Sequence, residues 1–302
     1  MDEFEFLLED RIAKIQSVNE QYDLENNSYI AFSGGKDSTV LHYLIDLALP
    51  GNKIPRVYSN TRIEYNMVVK FVKSIADEDE RFVILNQKRN IKQTLEKYGY
   101  PFKSKVFSFN LDLYQRLGLT RGVKAFLRLA PSKTGKMKTG QMACPEKLKY
   151  CFTDSFKLKV SSHCCDYLKK DLSKQWMKEN NKNRAITGLR KEEGGGRLNA
   201  VCISENRFNP LIVCSEEWEN WFIDKYNIKL CELYYPPYNF KRTGCKGCPY
   251  DLNLQQDLNT MAMLLSNERK QCEILWKPVY DEYRRIGYRL DKNYNLFDYL
   301  EE

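Results

Sequence analysis

A glycine-rich turn between an apolar run and an apolar, helix-compatible segment constrains this chain more than any other feature. Ser28-Tyr-Ile-Ala-Phe32 is short and strand-like, and Ser33-Gly34-Gly35-Lys36-Asp37-Ser38-Thr39 follows it directly. Val40-Leu-His-Tyr-Leu-Ile-Asp-Leu-Ala-Leu49 comes next and suits a helix. The order is strand, turn, helix. Gly34 and Gly35 let the backbone bend tightly and approach a ligand with no Cβ in the way. The amides opening the helix, with the positive end of its dipole, then face any anion placed there. Ser33, Ser38 and Thr39 add hydroxyl donors and Lys36 a mobile positive charge. The loop suits a pyrophosphate.

The same alternation continues downstream. Residues 54–59 read as a second strand and 65–75 as a helix; 81–85 read as a third strand and 91–98 as another helix. Strands alternating with helices imply a parallel sheet flanked by helices, with ligands beyond the carboxyl ends of the strands. Ahead of it, Phe4, Leu7, Leu8, Ile12 and Ile15 have helical spacing. Between about 100 and 180 the rhythm breaks, and lysines accumulate (Lys133, Lys136, Lys138, Lys147, Lys149, Lys157, Lys159). Residues 184–188 restore a strand, and a glycine-rich loop carrying Arg190 and Arg197 follows. Residues 208–213 read as a further strand. Residues 216–226 read as a helix faced by Trp218, Trp221 and Phe222, and 261–286 as a long amphipathic helix. The simplest division is a helix at 1–27, a nucleotide-binding α/β domain at 28–215 and a mainly helical, cysteine-bearing region at 216–302.

Net charge is +8, which suits an anionic partner, a nucleotide or a nucleic acid. The lysine run around 133–149 lies where a nucleic-acid backbone would pass, or is a solvated face. No apolar stretch approaches the roughly 18 residues that cross a bilayer, so no membrane partner is expected. The acidic start, Met-Asp-Glu-Phe-Glu, is unlike the basic start of a signal peptide, and a cytoplasmic location is expected. In that compartment ten cysteines point to metal or redox chemistry more than to disulfides. Cys202, Cys214, Cys231 and Cys272 sit among apolar neighbours and read as small buried hydrophobes. Cys164-Cys165 and, after a long gap, Cys245-Lys-Gly-Cys248 are clustered. Four thiolates suit either Zn²⁺ or a [4Fe-4S] cluster. Adjacent cysteines are awkward around one zinc ion, whereas each can reach a different iron of a cube, so the cluster is preferred and zinc is the alternative.

The heptad Ser33–Thr39 lacks Walker spacing and resembles the PP-loop of ATP pyrophosphatases. With the Cys-Cys and Cys-x-x-Cys pairs it resembles the phosphoadenosine phosphosulfate (PAPS) reductase family, in particular its adenylylsulfate-reductase-like members. Thr187-Gly-Leu-Arg190 with Arg197 is similar to that family's substrate-phosphate arginine loop. Pro101-Phe-Lys-Ser-Lys105 resembles its segment ahead of the cluster, and Phe208-Asn-Pro-Leu211 with Trp218 and Trp221 its Pro-Leu…Trp stretch. The resemblance implies an adenine nucleotide α-hydrolase-like, Rossmann-like fold. It also implies ATP or adenylyl sulfate on Ser33, Gly34, Gly35, Lys36, Asp37, Ser38 and Thr39, and a [4Fe-4S] cluster on Cys164, Cys165, Cys245 and Cys248. Lys36, Arg190 and Arg197 would carry the chemistry. Asp37 would either help hold Mg²⁺ on the nucleotide or cap the helix. His163 would either bond a cluster sulfur or be satisfied elsewhere.

Two departures bear on activity. The family's Asp-Thr-Gly reads Asn60-Thr61-Arg62, and its tail Glu-Cys-Gly motif has no counterpart in 293–302; the last cysteine is Cys272. The expected function is therefore ATP-pyrophosphatase or adenylating chemistry coupled to sulfur transfer, with a sulfur donor and a nucleic-acid acceptor among the expected partners. The alternatives are an adenylyl sulfate reductase fed by an external thiol protein, or Cys272 if mobile, and a nucleotide-sensing module without turnover.

Overall fold

The computed structural model describes residues 2–292; the stretch 293–302, on which the tail comparison rests, lies outside the described residues. The chain begins with α1 (Glu3–Tyr22), α2 (Leu24–Asn27), β1 (Ser28–Phe32), α3 (Lys36–Ala48), β2 (Arg56–Asn60), α4 (Asn66–Glu78) and β3 (Phe82–Asn86). Next come α5 (Ile91–Tyr98), α6 (Lys105–Leu117), α7 (Arg121–Phe126) and α8 (Asp171–Glu179). They are followed by β4 (Arg184–Ile186), β5 (Ile203–Ser204), β6 (Arg207–Phe208), α9 (Glu216–Lys225), α10 (Leu254–Leu264) and α11 (Ser266–Ile286). Two compact units result, both discontinuous. One takes the chain up to 87 together with 169–245, the other 88–168 together with the chain from 246 onward. These limits do not coincide with the expected division at 28–215 and 216–302. The reason is visible in the second unit, where Phe102 packs on Tyr283 at 4.9 Å, joining its two stretches of sequence.

The first unit is a six-stranded sheet in the order β3-β2-β1-β4-β6-β5, parallel except for the antiparallel β5–β6 pair. The α/β expectation holds. The order in which strands are added reverses beside β1: β2 and β3 lie on one side, β4 and β6 on the other. Under the sheet, Leu8, Ile15 and Val18 of α1, Val40, Leu41, Leu44 and Ile45 of α3, and Trp218 and Phe222 of α9 share one core with Ile30. Each such side chain contributes about 1.5–3 kcal/mol relative to exposure. Ser215 caps α9 by accepting from the Trp218 amide at 3.1 Å, which fixes the first turn of that helix.

At the other end of α3 lies a partly buried charge network. Asp46 accepts from Arg81 Nη1 and Nη2 at 2.7 and 2.9 Å and from Asn52 at 2.7 Å, and it pairs with Arg56. Arg56 Nε donates to His42 Nδ1 at 3.1 Å. Burial, then the neighbouring Arg56 charge, pushes the His42 pKa down to about 4. The network ties α3 to β2 and to the start of β3.

The second unit has an aromatic interior of Phe102, Phe107, Phe126, Phe152 and Tyr283. Tyr283 Oη donates to the Pro249 carbonyl at 2.9 Å and accepts from the Lys103 amide at 2.7 Å. Cys144 and Cys151 are buried there, and burial pushes both thiols up to about 12.

Two expectations need correction. Residues 208–213 are not a strand: β6 ends at Phe208 and 210–213 form turns. Pro210 has no N–H for a ladder, and β6 instead closes a hairpin with β5. The helix expected at 261–286 is two helices, since Leu265 (φ −139°, ψ 51°) ends α10 before Ser266 opens α11. Among the described residues no helix is long and apolar enough to cross a membrane.

Candidate nucleotide site

The turn after β1 is built as the sequence suggests. Gly34 has φ +73°, and a Cβ on it would meet Val68 Cγ1 at 2.8 Å and Val72 Cγ2 at 2.9 Å, so α4 presses on the turn from outside. Gly35 is the N-cap of α3 and gives no side-chain cap. The turn is braced by its own hydroxyls. The Ser33 amide donates to Ser38 Oγ at 3.1 Å, and Ser38 and Thr39 hydroxyls donate to the Gly35 carbonyl at 2.9 and 3.0 Å. A tyrosine from far along the chain completes it: Tyr234 Oη accepts from the Lys36 amide at 2.9 Å and meets Thr243 Oγ1 at 2.9 Å.

The loop after β4 meets this turn. A Cβ on Gly188 would stand 2.8 Å from the Asp37 carbonyl oxygen, so the two backbones touch. Arg190, only 6% exposed, donates from Nε to Asp37 Oδ1 at 2.9 Å and from Nη1 to Glu192 at 2.7 Å. Asp37 therefore does not cap α3; its carboxylate holds Arg190. The turn from Ser33 to Thr39, with Gly34, Gly35, Lys36, Asp37 and Ser38, and the Arg190 side chain lie together. Arg197 lies further out, paired with Glu193 at 2.8 Å. Arg62 is exposed, with a left-handed backbone at φ 66°.

Helix α9 supplies what sequence reasoning missed. Glu216 accepts from Lys36 Nζ at 2.8 Å, and that bond leads the causes that hold its carboxyl below the usual range. Glu219 is fully buried, 3.2 Å from Arg190 Nε and 4.0 Å from Lys36 Nζ, yet neither carboxyl oxygen makes a well-directed hydrogen bond. Burial, then the charge of Asp37, pushes its carboxyl above the usual range, against the opposing charges of Arg190 and Lys36. For Arg190, burial opposes the charge, but Glu219 and Asp37 outweigh it and hold its pKa above the ordinary value. The only sequence hint was the acid pair three apart on a tryptophan-rich helix. A groove of about 690 Å³ opens beside Lys36, lined also by Tyr234, Tyr235 and Phe240.

The clustered cysteines divide between the units. In the second, the Cys164 and Cys165 sulfurs are 4.0 Å apart. These two and Cys248 also act on the Tyr250 hydroxyl, whose pKa rises chiefly through burial. In the first, Cys245 forms an isolated bridge with Glu64. His163 pairs through Nδ1 with Asp166 at 2.8 Å. Among the described residues no three His, Cys, Asp or Glu side chains are grouped to hold a metal ion. The donors suit an iron–sulfur or zinc centre in kind, as soft thiols with one close pair. Cys214, Cys231 and Cys272 are buried as expected, while Cys202 is half-buried.

A mainly parallel sheet flanked by helices, with a glycine turn at the point where strand order reverses, defines an α/β protein. Residues 27–251 match the phosphoadenosine phosphosulfate reductase domain, and the chain belongs to that family. A search of curated proteins returned no match. Among solved structures, the phosphoadenylyl-sulfate (PAPS) reductase from Candida auris, in a phosphate complex, is similar. Identity is 14% over 77% of this chain and 88% of that one, with a TM-score of 0.44. The U34-tRNA thiolase NcsA from Methanococcus maripaludis, with its [4Fe-4S] cluster, is also similar. Its identity is 13% over 94% of this chain and 80% of that one, with a TM-score of 0.39.

Proposed function

We propose that the chain binds an adenine nucleotide with its anionic tail in the turn after β1 and cleaves ATP to an adenylate in support of sulfur transfer. The observation that carries this is the meeting of two loops at the reversal of strand order: Gly188 against Asp37, and Arg190 bonded to Asp37. In the proposed step an acceptor oxygen attacks the α-phosphorus, the α–β anhydride breaks and pyrophosphate leaves. Its charge falls on the turn's amides and on Lys36, an electrostatic stabilisation. Arg190 and Arg197 are the proposed further grips on phosphate oxygens. Asp37 would reach nucleotide-bound Mg²⁺ by exchanging its bond to Arg190.

Cys164, Cys165, Cys245 and Cys248 are the proposed thiolates of a [4Fe-4S] cluster, with Zn²⁺ the alternative. When bound, the cluster supplies one-electron transfer. A second reading, reduction of adenylyl sulfate, draws support from the family match. Cys272 is buried and its thiol is pushed up to about 12 by that burial, so in this reading the attacking thiolate comes from a separate thiol protein.

The test is an anaerobic preparation assayed with ATP for pyrophosphate and with adenylyl sulfate plus a thiol protein for sulfite. Pyrophosphate release that disappears in Lys36→Ala supports the first reading. Sulfite release alone replaces it with the second, and tight nucleotide binding with neither product makes the protein a nucleotide sensor.

A further inference from the structure

The second unit contains a concave site of about 600 Å³ that the nucleotide chemistry does not use. Its walls include Lys97 and Tyr98 from the end of α5, Arg116 from α6, Lys157 and Lys159 from an extended stretch, and Tyr167. The stretch is firmly held. Gln115 donates to the Leu158 carbonyl at 2.7 Å and accepts from the Val160 amide at 3.1 Å. Tyr100 N donates to the Lys159 carbonyl and Ser161 N to the Tyr100 carbonyl, both at 2.9 Å. Side chains two apart on extended backbone share a face, which sets Lys157 and Lys159 side by side above buried Val160. Lys159 Nζ also donates to the Lys97 carbonyl, closing the third side.

The charges here are unbalanced. Arg116 is matched by Asp112 at 2.9 Å, but among the described residues Lys97, Lys157 and Lys159 take part in no ion pair. Beside them the Tyr98 and Tyr167 rings stack, with centroids 4.2 Å apart and planes at 25°. Tyr98 is 37% exposed, and the Lys97 ammonium sits 5.2 Å from its ring centre. Three cations without ion pairs, one at the end of α5 and two on the extended stretch, suit successive phosphates, and a tyrosine stack with Tyr98 exposed suits an unpaired base. A duplex hides its base faces; a single strand does not.

We propose that this groove binds single-stranded nucleic acid, with Lys97, Lys157 and Lys159 on the phosphates and the Tyr98–Tyr167 pair against a base. As the acceptor for sulfur this strand rests on the reading above; as a ligand it does not, so the test is run without ATP and the two can fail separately. Labelled single-stranded RNA and DNA oligonucleotides are titrated with the full chain by fluorescence anisotropy across a salt series. The double variant Lys157→Ala, Lys159→Ala should weaken binding about tenfold and reduce the salt slope by about 1.4, from two lost phosphate contacts. Because Lys159 also braces the wall, Lys157→Glu is measured too and should weaken binding at least as much per residue. Tyr98→Ala should weaken binding about tenfold with the slope unchanged. The proposal is overturned if the wild type binds neither oligonucleotide, if it prefers duplex, if a mononucleotide competes as well as the strand, or if these variants bind with wild-type affinity and slope.

Discussion

A Cβ on Gly188 would lie 2.8 Å from the Asp37 carbonyl oxygen and 2.9 Å from its carbonyl carbon, both backbone atoms with nowhere to retreat. Gly188→Ala should therefore destabilise the first unit by about 1–3 kcal/mol and weaken nucleotide binding more than tenfold, read by thermal melting and calorimetry. Glu219 makes a different demand. Its folded pKa is held above the ordinary carboxylate value, so its contribution to stability is complete below the unfolded pKa and declines as pH rises through the folded one. Glu219→Gln, which imitates the protonated acid, should fold normally at pH 7 and melt with a shallower alkaline decline than wild type. An unchanged decline would place the ionisation elsewhere. Residues of the turn were legible because glycine, lysine and hydroxyls carry their chemistry in their identity. Glu216, Glu219 and Tyr234 were not, because a partner some 180 or more positions away is set by packing, which one sequence does not display.

Elements were legible where one face is consistently apolar. The expected helix at 91–98 coincides with α5, and the strands at 54–59 and 81–85 differ from β2 and β3 by a residue or two at each end. The failures share a cause. The apolar spacing resumes only after the polar run at 266–271, and reading across that gap passed over the backbone break at Leu265, while a two-residue hairpin strand such as β5 is too short for any period. The α3–β2 link makes its own expectation. His42 is held neutral down to about pH 4 while its unfolded value is near 6.5, so the folded state is fully supported above pH 6.5 and loses support as pH falls toward 4. The loss should approach roughly 3 kcal/mol, seen as a falling melting temperature. His42→Asn, which keeps an acceptor for Arg56, should abolish that segment of the curve. The carboxyls of Asp46 and Asp79, despite partial burial, are held below their usual range by hydrogen bonds from Arg81, so their contribution is lost at still lower pH in both proteins.

At the scale of the whole molecule, composition was a fair guide to class and a poor one to partition. The α/β rhythm gave the sheet, but the chain leaves the first unit at 87 and returns at 169, and the lysine-rich interval belongs to the second. Most lysines of the run at 133–149 are solvent-exposed, and Lys149 pairs with Glu146 at 2.8 Å. For the cysteines, Cys248→Ser should remove colour and bound iron from anaerobically purified protein and lower the melting temperature of the second unit. Unchanged metal content would remove Cys248 from the ligand set.

The bond between Lys36 and Glu216 carries one more consequence. The turn holds its own resident counter-ion, so any incoming anion must evict a carboxylate before it gains the ammonium. A ligand with several negative charges can outbid that occupant, whereas a monophosphate recovers little more than it displaces. Glu216→Gln removes the same displacement cost for every anion, so it should tighten ATP at least as much as AMP and leave the gap between their dissociation constants unchanged or wider. Were neither nucleotide to tighten, Lys36 would not meet the ligand in either case.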